Sequence, residues 1–407
     1  MNIRAVLLVK IGLCFVVPVL SGAVLAYEGH DPDNEFAGPV LGFSMGDTLS
    51  FTENHIPAES AVLNDWTFQG IATGLSFRQT NPVATNASTY SGFSNAQAII
   101  QKESGPLRVF AQAGLYAIPT LGNAFKRAEP ETEGSFGYLP HAYVSLVPNK
   151  NWSLAIGKIP SMGGLEATFT FENPNIQRGL LWVQTNSVSR GMQLNFEEGM
   201  FSAAVTWNDG AYSGVYNWLG GLASLKPTDA STYTVSWTGA VSGNSTNTST
   251  TQLLTNNSQI TNLIYQYAGE RWSFSPYAQY TYVPANQSIG INGSSGTYGF
   301  AVLSTFHVTP LVNGQAPKNH LSIPVRFEYE SSYGNSQMPS NAAGLMFGPG
   351  SSAWSATLTP TMQWKRVFAR AEFSYVKVFN PLAEAAFGAN GLNNNQVRLM
   401  LEAGLLY

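Results

Sequence analysis

Charge is scarce in this chain. Asp, Glu, Lys and Arg make up 11% of its 407 residues, against about 25% in ordinary soluble domains, which suits a surface with little bulk water around it. Long apolar runs are missing as well. Beyond residue 26 there is no stretch of about 18 apolar residues, which excludes transmembrane helices. Cysteine occurs once, at Cys14, inside what reads as a removable leader, so the mature chain has no disulfide or thiol chemistry. Basic excess is absent: 20 Lys and Arg stand against 24 Asp and Glu, a poor footing for nucleic acid. No phosphate-binding glycine loop occurs, and no cofactor is implied.

Aromatic residues are plentiful, at 12%. Few charges, many aromatics and abundant Gly, Ser, Thr and Asn fit a barrel with a lipid-facing band and a polar interior. The first residues form a separate object. Arg4 and Lys10 accompany an apolar run over 11–19, too short to span as a helix. The small residues around Val24-Leu25-Ala26 predict cleavage after Ala26, the layout of a secretory signal peptide. Leu13, before Cys14, is not the small residue that a lipoprotein site would want. Removing 1–26 leaves 18 basic against 24 acidic residues, net −6.

The dominant pattern beyond the leader has period two. The final twelve residues, QVRLMLEAGLLY, put Val397, Leu399, Leu401, Ala403, Leu405 and Tyr407 on one face and Gln396, Arg398, Met400, Glu402, Gly404 and Leu406 on the other. Successive strand side chains point to opposite faces, so one face is greasy and the other tolerates both charges. The same alternation sets Val367, Ala369, Ala371, Phe373 and Tyr375 against Arg370, Glu372 and Ser374. It also sets Leu321, Ile323, Val325, Phe327 and Tyr329 against Arg326, Glu328 and Glu330. Candidate strands begin near 65, 94, 105, 138, 151, 187, 200, 217, 230, 260, 271, 296, 319, 353, 366 and 395, roughly sixteen and even in number, as bacterial outer-membrane barrels require. Short and long connections alternate strictly, except at 308–318, where a short turn is due and a longer stretch stands. The prediction is an all-β, antiparallel up-and-down transmembrane barrel over 65–407, with short periplasmic turns and long extracellular loops. Residues 27–64 alternate poorly and read as a tail, a partial plug or a misread strand.

Chemistry is thin. Gly42-Phe43-Ser44-Met45-Gly46 matches the nucleophile-elbow pattern, but the residues after it are polar and extended rather than helical. His30 with Asp31, Asp33 and Glu35 reads as a solvated acidic tail rather than a metal site. His141, His307 and His320 fall on the inward face, where a barrel lipase acting at the lipid boundary would not want them. The informative stretch is 160–186, PSMGGLEATFTFENPNIQRGLLWVQTN, the third long connection and unusually apolar for a loop in water. Folded inward, it would narrow the barrel, packing Phe169, Phe171, Leu180, Leu181 and Trp182 on the wall and turning Glu166, Glu172 and Arg178 to the remaining water. An ordinary external loop, or one packed on a partner subunit, is the other reading. Inward-facing candidates on the wall are Arg108, Arg326, Glu328, Glu330, Arg370, Glu372, Arg398 and Glu402, as pore lining or as a structural network.

Three stretches resemble one family. Asn175-Ile176-Gln177-Arg178-Gly179-Leu180-Leu181-Trp182, then Ser189-Arg190-Gly191-Met192-Gln193-Leu194-Asn195-Phe196, then Trp207-Asn208-Asp209-Gly210 with Tyr212, are similar to the OmpL-like β-barrel porins of Gram-negative bacteria. The resemblance runs more loosely from Trp66 to Tyr407. It implies an outer-membrane porin fold, and a third loop placed like the constriction loop of general porins. It carries no substrate and no catalytic residue.

The expected function is therefore a passive diffusion channel for small hydrophilic solutes, not an enzyme. It is expected to sit in outer-membrane lipid and to be delivered by assembly machinery that reads the C-terminal strand ending in Tyr407. An oligomer is left open. The rivals are a closed barrel with a structural or adhesion role, a barrel lipase, and a soluble exported lectin-like β protein.

Overall fold

A computed structural model describes residues 49–50, 54–55, 65–248, 251–312, 315–334 and 347–407. The expected leader and the cleavage expected after Ala26, the acidic cluster at His30 and the 42–46 motif lie outside the described residues.

Strands dominate in chain order. A two-residue strand β1 (Asn54–His55) precedes β2 (Trp66–Gln79), β3 (Thr89–Lys102), β4 (Leu107–Tyr116), β5 (His141–Asn149) and β6 (Trp152–Pro160). Next come β7 (Val188–Glu198), β8 (Phe201–Asn208), β9 (Trp218–Thr228), β10 (Ser231–Ala240), β11 (Gln259–Ala268) and β12 (Trp272–Val283). The last are β13 (Ser295–His307), β14 (Asn319–Tyr333), β15 (Ser352–Leu358), β16 (Thr361–Trp364), β17 (Val367–Phe379) and β18 (Asn395–Leu406). From β2 onward neighbours pair antiparallel in chain order, and β18 closes on β2 from Arg398 opposite Gln79 to Leu406 opposite Ile71. Closure leaves no row of unpaired backbone groups facing lipid, where each would cost several kcal/mol.

β15 and β16 are two halves of one stave. Both pair β14 on one side and β17 on the other. The interruption sits at Pro360, which has no N–H for the ladder. Backbone bonds from Thr359 N to Pro324 O at 2.8 Å and Ala371 N to Pro360 O at 3.1 Å carry the sheet across it. Counting them together gives sixteen staves, as the alternation predicts. The stretch 308–318 is one connection between β13 and β14 and conceals no further pair of strands among its described residues. It is tied back by Thr309 N to Leu321 O at 3.1 Å and Leu311 N to Glu270 O at 2.7 Å.

Two of the other short turns place glycine where the backbone turns left-handed, whereas the β16–β17 turn puts Lys365 there at φ +54°. Gly105 and Gly199 adopt φ of +78° and +59°, conformations that cost a side-chain-bearing residue but not glycine.

The outer face is as the alternation predicts. Leu399, Leu401, Phe373, Val325 and Phe327 are exposed, while Arg398, Met400, Glu402, Glu372 and Arg326 between them are buried. Aromatic pairs gather toward both ends of the staves: Trp152 with Phe196 and Trp272 with Phe306 near the short turns, Trp207 with Tyr216 and Trp354 with Tyr375 near the long loops. Two such belts are where amphipathic rings meet the two membrane interfaces.

Of the 27–64 stretch, Leu49 packs against the inward residues Ile71, Ile99, Phe368 and Leu406. Ser50 N donates to Gln363 Oε1 at 2.9 Å, and Gln363 Nε2 returns a bond to Ser50 O at 2.6 Å. β1 then pairs with β2, Asn54 opposite Phe68, just past the point where the chain end leaves the ladder. This piece of the chain therefore enters the barrel from the short-turn end.

Candidate functional site: the inner loop and its anchoring wall

The connection between β6 and β7, residues 161–187, has no exposed residue. It lies inside the barrel. Its local shape is set by its own polar side chains. Phe169 N donates to Glu172 Oε2 at 2.8 Å, closing a 3-10 turn at Thr170–Glu172. Asn173 Nδ2 donates to Phe169 O at 2.7 Å, and Asn173 Oδ1 accepts from Ala167 N at 2.9 Å. Arg178 is fully buried and donates to the carbonyls of Phe169, Asn175 and Ile176 at 2.7 to 2.8 Å. The loop is wrapped around that guanidinium, whose planar fork of donors suits several carbonyls at once.

The apolar residues pack as expected from their number. Phe169 meets Tyr116 edge-on at 4.9 Å and clusters with Ile71, Ile99 and Phe110. Leu180 and Leu181 join Leu121, Tyr277, Leu303 and Val376. Ile176 sits with Leu75, Phe77 and Met400. A second connection, between β4 and β5, supports the loop from behind. Arg178 N donates to Pro119 O at 2.8 Å, and Leu121 N donates to Arg178 O at 2.9 Å.

The charges of three wall strands close on the loop. From β14, Arg326 Nη1 bonds Glu166 Oε1 at 2.5 Å and Gln177 O at 2.7 Å, while Glu328 accepts from Leu180 N at 3.1 Å and Ser355 Oγ at 2.8 Å. From β17, Glu372 accepts from Ile176 N at 2.6 Å, Gln177 Nε2 at 2.8 Å and Thr359 Oγ1 at 2.8 Å. Arg370 donates to Thr170 O, Asn173 O and Glu402 at 2.6 to 2.8 Å. From β18, Glu402 also accepts from Thr170 Oγ1 at 2.7 Å, and Arg398 donates to Gln177 Oε1 at 2.6 Å and Gln79 Oε1 at 2.8 Å. A buried charge is tolerable when it is paired and its remaining bonding capacity is filled, and this loop fills it with backbone groups.

The expectation that Glu166, Glu172 and Arg178 face water needs correcting. The loop does fold inward, but the side chains of all three are buried. Glu166 is spent on Arg326 and on Gly179 N at 2.9 Å, Glu172 on the 3-10 turn and Arg178 on carbonyls. The reason is geometric. An irregular loop inside a barrel must satisfy its own backbone, and its charged side chains are the nearest means. Glu330 faces inward one step nearer the long loops, between Gly299 and Ala353. Arg108 faces inward near the short-turn end of β4, across from Ser145. His141, His307 and His320 are buried on the inward face.

Gln177 is the residue that charge-based reading missed. Its main chain and side chain together reach Arg326, Glu372, Ser374 and Arg398. Its sequence signals are a place beside Arg178 in a loop too apolar for water and membership of the 175–182 stretch that carries the family resemblance.

With lipid-facing surface outside and hydrogen-bonding surface inside, this arrangement can pass or block polar solutes. That is the porin class of outer-membrane barrels. The chain belongs to the OmpL-like porins: residues 66–407 match the family described as "Putative beta-barrel porin-2, OmpL-like". Solved structures share the fold at low identity. An anion-selective porin from Comamonas acidovorans aligns with TM-score 0.57 and 12% identity, over 84% of this chain and 99% of that one. The outer-membrane-expressed OmpT of Vibrio cholerae gives TM-score 0.53 and 12% identity, over 87% and 100%. The outer-membrane channel DcaP of Acinetobacter baumannii gives TM-score 0.51 and 10% identity, over 84% and 97%. No curated protein matches the chain in sequence.

Proposed function

We propose that the chain is a passive outer-membrane channel for small hydrophilic solutes, with a bore set by the inner loop 161–187. The observation that carries this reading is the loop itself, seated inside a polar barrel wall and held there by charges from β14, β17 and β18. In wide barrels a folded-in segment sets the narrowest section, and what lines that section sets selectivity. The reading includes export by a signal peptide cleaved after Ala26, assembly directed by the C-terminal strand, and no catalytic activity.

One observation favours a second reading, a barrel closed in its resting form. Mid-depth inward residues are buried even on staves far from the charged wall, such as Thr234 and Ser236 on β10 and Asn262 on β11. Planar-bilayer recording on the full chain and on a variant lacking 163–185 separates the two. Current through the full chain that rises on deletion is the channel outcome. Current only after deletion means that the loop closes the barrel. No current from either variant overturns the channel reading.

A further inference from the structure

The outer wall holds a pair of residues that strand pairing alone disfavours. Lys158 on β6 lies directly across from Arg190 on β7, and both project outward at the long-loop end of the barrel, beside the buried Ile159 and Ser189. Like charges set opposite each other in a ladder repel. One acid answers the two cations. Asp209 Oδ2 accepts from Arg190 Nε at 2.7 Å, and Asp209 Oδ1 accepts from Arg190 N at 2.7 Å. Asp209 stands behind Arg190, its side chain 0% exposed against 35% for the arginine. Lys158 Nζ finds only carbonyls, Phe136 O at 3.3 Å and Leu139 O at 2.9 Å. In the β4–β5 connection, Glu131 is drawn to Lys126 at 3.8 Å and Glu133 accepts from the Tyr138 hydroxyl at 3.0 Å. Among the described residues neither they nor Glu129 pair with Lys158 or Arg190. Two cations against one carboxylate leave one positive charge over.

Tyr212 holds the two cations in place. Its ring lies 4.0 Å from the Arg190 guanidinium and 5.4 Å from Lys158 Nζ, with Phe136 edge-on at 5.5 Å. It reaches that place with φ of +62°, a backbone state that a tyrosine adopts at a cost. Arg190 Nη2 donates to Tyr212 O at 3.1 Å, and among the described residues Nη1 has no partner. Lys158 keeps one of its three donors. Toward mid-depth the outer face turns apolar at once: Val144, Ile156, Met192 and Trp207 form an exposed row, each across from the next. Cationic donors at the edge of a lipid-facing apolar field are what a phosphorylated headgroup and its acyl chains meet together. Arg190, Asp209 and Tyr212 come from two of the stretches that carry the family resemblance, and their side chains take no part in anchoring the inner loop.

We propose that Lys158 and Arg190 bind the phosphorylated headgroup of a lipid in the leaflet at the long-loop end, with its acyl chains lying on the apolar row below. The proposal needs the barrel in its membrane and is independent of whether the barrel conducts. The test is native mass spectrometry of the full chain in detergent, with lipid A as the probe and dephosphorylated lipid A, which has the same acyl chains, as the reference. Lipid A should be retained several-fold more tightly than the reference, and inorganic phosphate should not displace it. Lys158→Met keeps the stem and removes the charge, and should weaken lipid A by about fivefold, the factor one cation is worth beside anionic headgroups. Lys158→Arg should bind as the parent chain does. Lys377 is the control, an outward cation at the same end of β17 set between the neutral Trp354 and Asn395. Lys377→Met should leave binding unchanged. Equal retention of lipid A and the reference by the parent chain would overturn the proposal whatever the variants do. So would a loss at Lys377→Met as large as that at Lys158→Met, which means diffuse attraction, or displacement by inorganic phosphate, which means a site for a free anion.

Discussion

Arg326 on β14 and Glu166 in the inner loop, 160 positions apart in the chain, meet as an ion pair with both side chains out of contact with solvent. Glu328 stands beside them, its Oε2 3.3 Å from Arg326 Nε. The pair fastens a loop to a wall, so its energetic meaning lies in what happens when one half is lost. Desolvation makes a buried pair a weak net stabiliser, but a buried charge stripped of its partner is costly.

Glu166→Leu should therefore destabilise the folded barrel by about 1–3 kcal/mol and loosen the loop, because Arg326 keeps Glu328 but loses its carboxylate in the loop, and Gly179 N loses its acceptor. The double variant carrying Arg326→Leu as well should lose less than the sum of the two single losses, although Glu328 is then left without its cation. A denaturant titration in lipid, run as a double-mutant cycle, gives the answer. A double variant as weak as the sum of the singles would mean that the two residues do not act on each other.

The lipid-facing assignment of the outer surface makes a second prediction. Leu401 lies midway along β18 and is 62% exposed, so Leu401→Arg places a charge near the middle of the membrane and should cost about 2–4 kcal/mol. Gln266, inward and half-buried near the short-turn end of β11, should accept Arg for about 1 kcal/mol or less. Ser374 would not serve as the inward control, because Gln177 Nε2 already occupies its hydroxyl at 2.7 Å. Equal penalties at Leu401 and Gln266 in a folding titration would contradict the register.

The sequence made most of the wall legible and little of the interior. Period-two alternation is a local property of each strand, so strand positions and faces can be read without knowing any partner. It fails where the chain departs from strict alternation. Ser94 and Asn95 are consecutive and both buried, because the pairing of β2 with β3 shifts register at Thr73 and Gly74. That bulge hides the first residues of β3, which begins at Thr89 rather than near 94. The inward direction of Arg326, Glu372 and Arg398 was equally local and equally legible. What those groups touch was not, since Glu372 finds Ile176 across 196 positions of chain and Arg398 finds Gln177 across 221. No periodicity encodes a loop's backbone as the partner of a wall charge.

The chain end makes the last prediction. Tyr407 exchanges both backbone hydrogen bonds with Gly70, each at 2.8 Å, so it forms the final rung of the closing ladder. Its ring stands under the Arg366 guanidinium at 4.5 Å and edge-on to Phe68 at 6.1 Å, at the membrane interface near the short turns. We propose that this rung also serves as the address read by the outer-membrane assembly machinery: a terminal aromatic with Leu405 and Ala403 at the alternate positions before it. Deleting Tyr407 removes the ring and the rung together, and should lower the amount of assembled barrel while export past the leader continues. Tyr407→Phe keeps the ring, the rung and the contacts with Arg366 and Phe68, and should assemble normally. Heat-modifiable migration of outer-membrane fractions measures the assembled share, and leader cleavage in the same cells measures export. If the deletion assembles as well as the parent chain, the address lies elsewhere. If Tyr407→Phe fails as badly as the deletion, the hydroxyl rather than the aromatic face is what is recognised.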